Sequence, residues 1–432
     1  MAHSTRSPHA GSGQAGAAPI SPVTHDVVII GGGLVGSSLA IALGAQGLDV
    51  ALVEALASEQ PTASVFDQRN LSFAEATVNA LTALGVMQQL ASPGGPIERI
   101  HISRSGDFGR TVLRAAEHGR SEFGRVVVAR DFGDALEKRL ATVAHLVRYR
   151  PARFTGFADS ALPGNRAVRL AGEDGERIVH ARLVVGADGT RSGVRAALGI
   201  GTSEHAYGQT LFVTRLRTAR APDGTAYERL TEDGPTALLP RGDRHYGLVH
   251  AVAQEAAAGV AALDEAAFLE RVQRRFGWRA GRFLSCGPRV GYPLIRVLAE
   301  RLHGERVVLV GNAAQTIHPL GAQGFNLGLR DALTLAELIA ASMGTGGRGD
   351  CGDAALLTDY VNARAEDRRR TLAFSDGLAR MTANRSSLLR PLRALGMLAI
   401  DRLPSLQSAV VAGALGYRAG VPALCRPPGL RP

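Results

Sequence analysis

Three glycine-containing blocks hold the residues most able to do chemistry. In the first, Gly31-Gly32-Gly33-Leu34-Val35-Gly36 has the G-x-G-x-x-G spacing. Gly31 permits a tight turn, Gly33 lets backbone approach a pyrophosphate, and Gly36 lets a helix pack closely on a strand. The helix that follows would offer free N–H groups and a positive dipole end to the phosphates. Glu54 comes where a carboxylate can bind both hydroxyls of an adenosine ribose and repel a 2′-phosphate. In the second block, the apolar run Arg182–Gly186 ends in Ala187-Asp188-Gly189. In the third, Val307–Val310 leads into Gly311-Asn312, then His318-Pro319, then Gln323-Gly324-Phe325-Asn326. Such crowding of Gly, Pro, Asn and Gln before a helix exceeds what packing alone asks for.

The elements that must position these residues alternate between strand and helix. Asp26–Ile30 is a strand-length apolar run, Ser37–Leu43 a helix stopped by Gly47, and Asp49–Val53 a second strand, which together make a βαβ unit. A strand over Arg125–Ala129 precedes a helix over Asp131–Ala141 that Arg130 opens. The third block feeds a helix over Leu327–Met343. Tyr207–Arg217 and Tyr246–Val252 read as strands and Glu255–Arg275 as a helix. The class is α/β.

The chain has 432 residues, 45% apolar and 20% charged, which suits two or three domain-sized units with a large core and excludes global disorder. Lys138 is the only lysine, and 49 Lys+Arg against 39 Asp+Glu give a net charge of +10. That excess admits nucleic acid, an anionic membrane or acidic ligands, but no nucleic-acid-binding motif accompanies it. Cys286, Cys351 and Cys425 are widely spaced, so neither a disulfide framework nor a metal site is expected, and a reducing compartment is. Residues 1–24 read as a disordered leader and not a secretory signal, and no apolar run is long enough to span a bilayer. Between 371 and 432, eight arginines face only Asp376 and Asp401, with leucines interleaved and Pro391 and Pro404 breaking the stretch into short helices. Either a helical cap or a segment resting on anionic lipid fits this pattern.

The three blocks, in this order, resemble the class A flavoprotein aromatic hydroxylases, relatives of para-hydroxybenzoate hydroxylase. Asp188-Gly189 is similar to their DG motif. Gly311-Asn312 is similar to their GD motif, with Asn312 in place of the acid. The run from Gly311 through Gly328 resembles the ubiquinone-biosynthesis hydroxylases, above all those of the 2-octaprenyl-6-methoxyphenol type. Asp67-x-Arg69, Tyr207-Gly208-Gln209-Thr210, Tyr227-Glu228-Arg229 and Tyr292-Pro293-Leu294 agree.

The resemblance implies a para-hydroxybenzoate-hydroxylase-like fold. An FAD-binding Rossmann-type domain would comprise 25–95, 125–202 and 290–345. A β-sheet substrate domain would interleave over 96–124 and 203–289, and a helical region would follow over 346–432. It implies FAD held by Gly31, Gly33, Gly36, Glu54, Arg69, Arg130, Asp188, Gly189, Gly311, Asn312, Gln323, Gly324, Phe325 and Asn326. His318 and Pro319 would stand at the reacting face of the flavin, with His318 a candidate proton carrier. NAD(P)H would dock transiently, because no second G-x-G-x-x-G exists. O2 would give a flavin C4a-hydroperoxide, attacked by an electron-rich ring. The substrate implied is a polyprenylated phenol in ubiquinone biosynthesis. The protein would then be cytoplasmic and peripheral to the inner membrane of a bacterium, in company with other ubiquinone-biosynthesis proteins. Two alternatives stay open: an FAD-binding scaffold subunit, and a flavin hydroxylase of a soluble phenol.

Overall fold

Continuous apolar runs form the central strands because both faces of a parallel sheet are covered. In the computed structural model, which describes residues 23–57, 69–160, 162–231, 233–344, 349–383, 390–417 and 420–430, Thr24–Ile30 pairs in parallel with Val50–Val53 on one side and Gly175–Gly186 on the other. Leu146–Tyr149 and Val307–Leu309 extend the parallel order outward. His303–Gly304 closes one edge, and the antiparallel pair Ala152–Ala158 and Arg166–Gly172 completes eight strands. Helix α1 (Leu34–Gly44) packs on this sheet, and every residue from Gly36 to Leu43 is buried. Most of the leader, Asp67 and residues 345–348, half of the glycine-rich stretch that the sequence marks as a linker over 345–352, lie outside the described residues.

Asn70–Ala74 leads into α2 (Glu75–Ala83) and pairs with Gly124–Val128, which also takes Gly95–Pro96, in a separate three-stranded sheet. Helix α3 (Ala129–Leu140) begins two residues ahead of the sequence expectation and buries Phe132, Ala135, Leu136 and Leu140. Helix α4 (Gly193–Ala197) is a short turn after the second block.

The second layer is a nine-stranded sheet. Its path runs from Gln315–Thr316 through Val290–Ala299, Thr202–Thr218, Tyr246–Ala253, Gly234–Pro240, Thr225–Thr231 and Arg99–Arg104 to Arg110–Arg114, with Phe283–Cys286 beside it. Val290–Ala299, grouped by sequence with the cofactor domain, is paired along Thr202–Thr218 in this sheet. The expected helix Glu255–Arg275 is broken into α5 (Ala257–Ala262) and α6 (Glu265–Phe276), because Asp264 accepts from the Ala267 N–H at 2.8 Å and starts a new helix. Phe268, Val272 and Phe276 of α6 cover one face of the sheet, over Phe212, Leu216, Leu238 and Leu248.

Among the described residues the C-terminal part carries α7 (Gln323–Met343), α8 (Ala354–Ala383), α9 (Arg390–Arg402) and α10 (Pro404–Leu415), followed by two short 3-10 turns. The two prolines stand at or next to the first turns of α9 and α10, where a missing N–H costs nothing. Helix α9 docks on Arg110–Arg114: Thr111 donates to the Met397 carbonyl and Asp401 accepts from the Val112 N–H, both at 2.8 Å.

Candidate functional site

The first glycine block is a cradle with two sides. A Cβ on Gly36 would lie 2.0 Å from the Gly31 carbonyl oxygen, and one on Gly31, whose φ is +110°, would lie 2.5 Å from the Ala187 carbonyl oxygen. These two glycines close the packing of strand, helix and second block. On Gly33 a Cβ would meet nothing within 4 Å, so this residue faces open space. Gly33 is also the N-cap of α1, which has no side-chain cap and no acid in its first turn. The first N–H groups of α1 thus point, uncapped, into that space. Glu54 reaches the cradle, its Oε2 accepting from the Gly32 N–H and its Oε1 from the Leu56 N–H, both at 2.9 Å. A carboxylate has lone pairs to spare beyond two such bonds.

The second and third blocks are laced together. Asp188 turns back onto α4, accepting from Ser192 Oγ and from the Val194 N–H. Gly189 beside it, at φ +82°, has open space where a Cβ would sit. Arg195 donates to the Thr190 and Ala313 carbonyls, each at 2.9 Å, and the Thr190 and Thr316 hydroxyls meet at 2.8 Å. Gly311 (φ +59°) and Gly328 both abut Val35, which brings α7 against α1. Asn312 is exposed between the buried Gly311 and Ala313.

Helix α7 begins at Gln323, ahead of the expected Leu327. Its N-cap, Ala322, sits at φ +52°, a left-handed backbone that a residue with a Cβ rarely takes, and it supplies no side-chain cap. Gln323 donates to the Gly321 carbonyl, and Gly324 faces open space. Phe325 lies in an aromatic cluster with Phe73 and Phe132. Asn326 is buried and fully engaged: its oxygen accepts from Ala74 N–H and Thr77 Oγ, and its amide donates to the Ser72 and Ala322 carbonyls. The Phe325 and Asn326 side chains therefore hold the turn in place, leaving backbone N–H groups to face outward.

Two links join the segments packed around this turn to the nine-stranded sheet. The Arg69 guanidinium stacks 5.3 Å over the Tyr292 ring, and burial lowers its pKa. His318 is buried and meets Tyr207 edge-on, with centroids 4.6 Å apart. Tyr207 donates to Asp376 of α8, which also pairs with Arg296, and Ser375 of α8 donates to the His318 carbonyl. Burial pushes the His318 imidazole down to about 4, with Asp376 opposing, so it is neutral at pH 7. Pro319 is exposed beside it. Arg130 is exposed on the first turn of α3, 3.9 Å from Asp131. The sheet face toward this turn is apolar, with Leu211, Val213, Ala251 and Leu294 clustered against Tyr207, Val249, Val290 and Tyr292.

Two uncapped helix N-termini and glycines that open onto free space make a receptor for a dinucleotide, so the residues present fit FAD. Residues 24–375 match the family described as FAD binding domain. Ubiquinone hydroxylase UbiL of Rhodospirillum rubrum is 34% identical over 391 residues, covering 90% of this chain and 89% of the relative. The chain belongs to the FAD-binding ubiquinone hydroxylase family. The 3-demethoxyubiquinol 3-hydroxylase of Escherichia coli is 28% identical over 90% of this chain and 98% of its own. In fold, the hydroxylase superposes on p-nitrophenol 4-monooxygenase PnpA of Pseudomonas putida with a TM-score of 0.74, at 17% identity over 92% of this chain and 99% of that one.

Several residues that build this flavoprotein's site escaped sequence reading. Arg195 and the Thr190–Thr316 pair tie two blocks together, yet nothing in their spacing announces it. Beneath α7 lies a buried ionic cluster. Asp367 accepts from Arg330 and Arg364, Asp331 accepts from Arg364 and Gln315, and Arg368 donates to Gln315. The signal for it was Arg330-Asp331 in the middle of an otherwise apolar helix. Among the described residues no cluster of metal-ligating side chains occurs, and no helix is long and apolar enough to cross a membrane.

Proposed function

We propose that this hydroxylase places one oxygen atom of O2 on the aromatic ring of a polyprenylated phenol, a ubiquinone precursor. The observation that carries the reading is the meeting of two surfaces through Arg69–Tyr292 and His318–Tyr207: a backbone-lined dinucleotide cleft and an apolar sheet face. The names of the relatives supply the substrate class. FAD, reduced by NAD(P)H, supplies the activation of O2 when bound.

In this reading Gly31, Gly33, Gly36 and the α1 N-terminus hold the pyrophosphate, and Glu54 the adenosine ribose. Asp188, Gly189, Gly311 and Asn312 line the path toward the flavin ring. The N-terminus of α7, from Gln323 to Asn326, turns its positive end to the reduced ring. Arg69 and Arg130 are further cofactor contacts. Neutral His318 and Pro319 wall the reaction pocket and exclude water.

The lipid tail of such a substrate calls for contact with a bilayer. On α9, α10 and the link between them, Leu392, Leu395, Leu398, Leu403 and Leu406 are all exposed, and Arg402 stands among them. This row would rest on the cytoplasmic face of a bacterial inner membrane, attracted by anionic lipid.

The test is NAD(P)H oxidation by the FAD-loaded protein with prenylated phenols, using 18O2 to trace the inserted atom. Oxidation stimulated by the phenol, with one labelled oxygen in the product, is expected. The pair Leu392→Glu and Leu395→Glu should raise KM for a phenol embedded in anionic liposomes but not for a short-chain soluble one. Bound FAD without stimulated oxidation by any donor would identify a scaffold subunit instead.

A further inference from the structure

A phenol is a better nucleophile as its phenolate, so a group that takes the hydroxyl proton would assist the reaction. Neutral His318 is a weak acceptor at pH 7, because burial holds its pKa near 4. The nine-stranded sheet offers another group.

Glu228 lies in the strand Thr225–Thr231. Its neighbours across the sheet are Ile102 on one side and Ala237 on the other. The same rung continues through Val249 and Val213 to Val290. Pairing keeps these residues on one face, and three of them belong to or pack on the cluster with Leu211, Ala251, Tyr207 and Tyr292. The adjacent Tyr227 and Leu238 pack on the opposite face, under α6. Glu228 therefore projects to the side that meets the flavin turn. At about 4.8 Å per strand it is roughly 10 Å from the strand of Val249, within reach of an aromatic ring lying across the sheet.

This carboxylate is an anomaly in its layer. Asp243 is paired with Arg241 and Arg215, Asp233 with Arg275, and Asp107 with Arg104 and Arg393. Glu228 Oε1 is sealed from solvent with no hydrogen-bond partner, while the side chain keeps some accessible surface. Ala226 and Leu230 flank it along its strand, and Ile102 and Ala237 across it, and none of them titrates. Helix α8 also packs against this strand; of its described charged groups, Asp376 is committed to Tyr207 and Arg296, Arg368 to Gln315, Arg364 to Asp367, and Arg369 and Arg370 to Glu366. Burial alone raises the carboxyl to about 7, close to where a general base is most useful. A buried charge without a partner is normally eliminated or paired, so its presence on the face argued to bind substrate points to a partner in the ligand.

We infer that Glu228 receives the hydroxyl proton of the phenol. The substrate O–H bond breaks, an O–H bond forms on a Glu228 carboxylate oxygen, and the electron pair stays on the phenolate, which feeds the ring carbon that gains oxygen. The proton passes to water when product leaves. No electrons are exchanged in this step. The inference rests on the phenol-hydroxylase reading above.

The experiment uses the FAD-loaded protein with NAD(P)H, O2 and 2-geranylphenol as probe, and follows kcat as pH is varied. In the wild-type protein kcat should rise with pH through a limb near 7, where Glu228 loses its own proton and becomes able to accept one. Glu228→Gln should lose that limb. It should also cut kcat at pH 7 by about 100-fold or more, with KM changed less than threefold and FAD retained. Glu228→Asp, which keeps a carboxylate, should recover part of both. A Gln variant with the wild-type pH profile would overturn the assignment, as would one whose loss lies in KM alone. If 2-geranylphenol binds neither protein, the phenol-hydroxylase reading falls and the inference with it. If both proteins bind and turn over the phenol alike, only the role of Glu228 falls.

Discussion

The cradle around α1 and the apolar face of the nine-stranded sheet treat charge in opposite ways. The cradle prepares for an anion with backbone alone: uncapped N–H groups, glycines and no acid in the first helical turn. The sheet face surrounds a carboxylate with aliphatic side chains and gives it no partner. A site made of backbone is exacting about shape, because an atom added at Gly31 or Gly36 strikes main chain and one added at Gly33 enters the space left for the ligand. A site made of side chains tolerates changes of shape, and its chemistry rests on single groups.

The largest effect should come from crowding the cradle. Gly36→Val puts a Cβ where only 2.0 Å separates it from the Gly31 carbonyl oxygen, in a buried helix–strand contact. Neither main-chain segment can yield, so the variant should lose soluble folded protein, seen as a collapsed yield and no cooperative melting. Gly33→Val meets nothing within 4 Å and should fold with a near-normal far-ultraviolet spectrum, yet be colourless, because its side chain fills the space left for the pyrophosphate. A yellow, fully loaded Gly33→Val protein would refute the backbone-built cleft.

Next comes the ionic cluster under α7, where buried charge is fully paired. Asp367 takes Arg330 and Arg364 together, and all three side chains are about 2% exposed or less. Burial pushes the Asp367 carboxyl up, but the two arginines more than offset it and hold it below its ordinary range. Asp367→Asn leaves two buried cations short of an anion and should cost about 3–5 kcal/mol. A urea denaturation midpoint within error of wild type would show that the cluster adds nothing to stability.

How much of this was legible follows the same division. The glycine blocks, the βαβ unit and the α/β class could be read because turns that need positive φ, and parallel strands buried on both faces, restrict residue type locally. The sequence does not show the start of α7, because Asn326 is held there by Ser72, Ala74 and Thr77, residues far away in the chain. It does not show the break in Glu255–Arg275, because the capping by Asp264 is one side-chain bond within an amphipathic stretch. It does not assign Val290–Ala299 to the nine-stranded sheet, because strand pairing is a long-range choice that a short apolar run does not specify. In the sequence Glu228 is only part of a family-like Tyr-Glu-Arg segment, since its isolation depends on what five other strands fail to supply. The tail charge also reads differently in three dimensions: Arg393 is taken up by Asp107, while the leucines on α9 face outward.

The smallest effect sharpens the comparison on the sheet side and concerns stability, not catalysis. A carboxyl that titrates at about 4.5 when unfolded and at about 7 when folded keeps its proton longer in the native state. Between these values the native protein binds more protons than the unfolded chain, so stability falls as pH rises through that window and levels off above it. Below about 4.5 both states are protonated and the penalty vanishes. Glu228→Gln removes the titration while keeping size and shape. Its stability advantage over wild type should therefore be absent at the acid end, open between about 4.5 and 7, and hold at roughly 3 kcal/mol above that. Urea denaturation of both proteins across this range gives the difference directly. A gap independent of pH would mean that Glu228 is ionised in the native protein throughout and has a partner, and the contrast between a prepared cradle and an unpaired carboxylate would not stand.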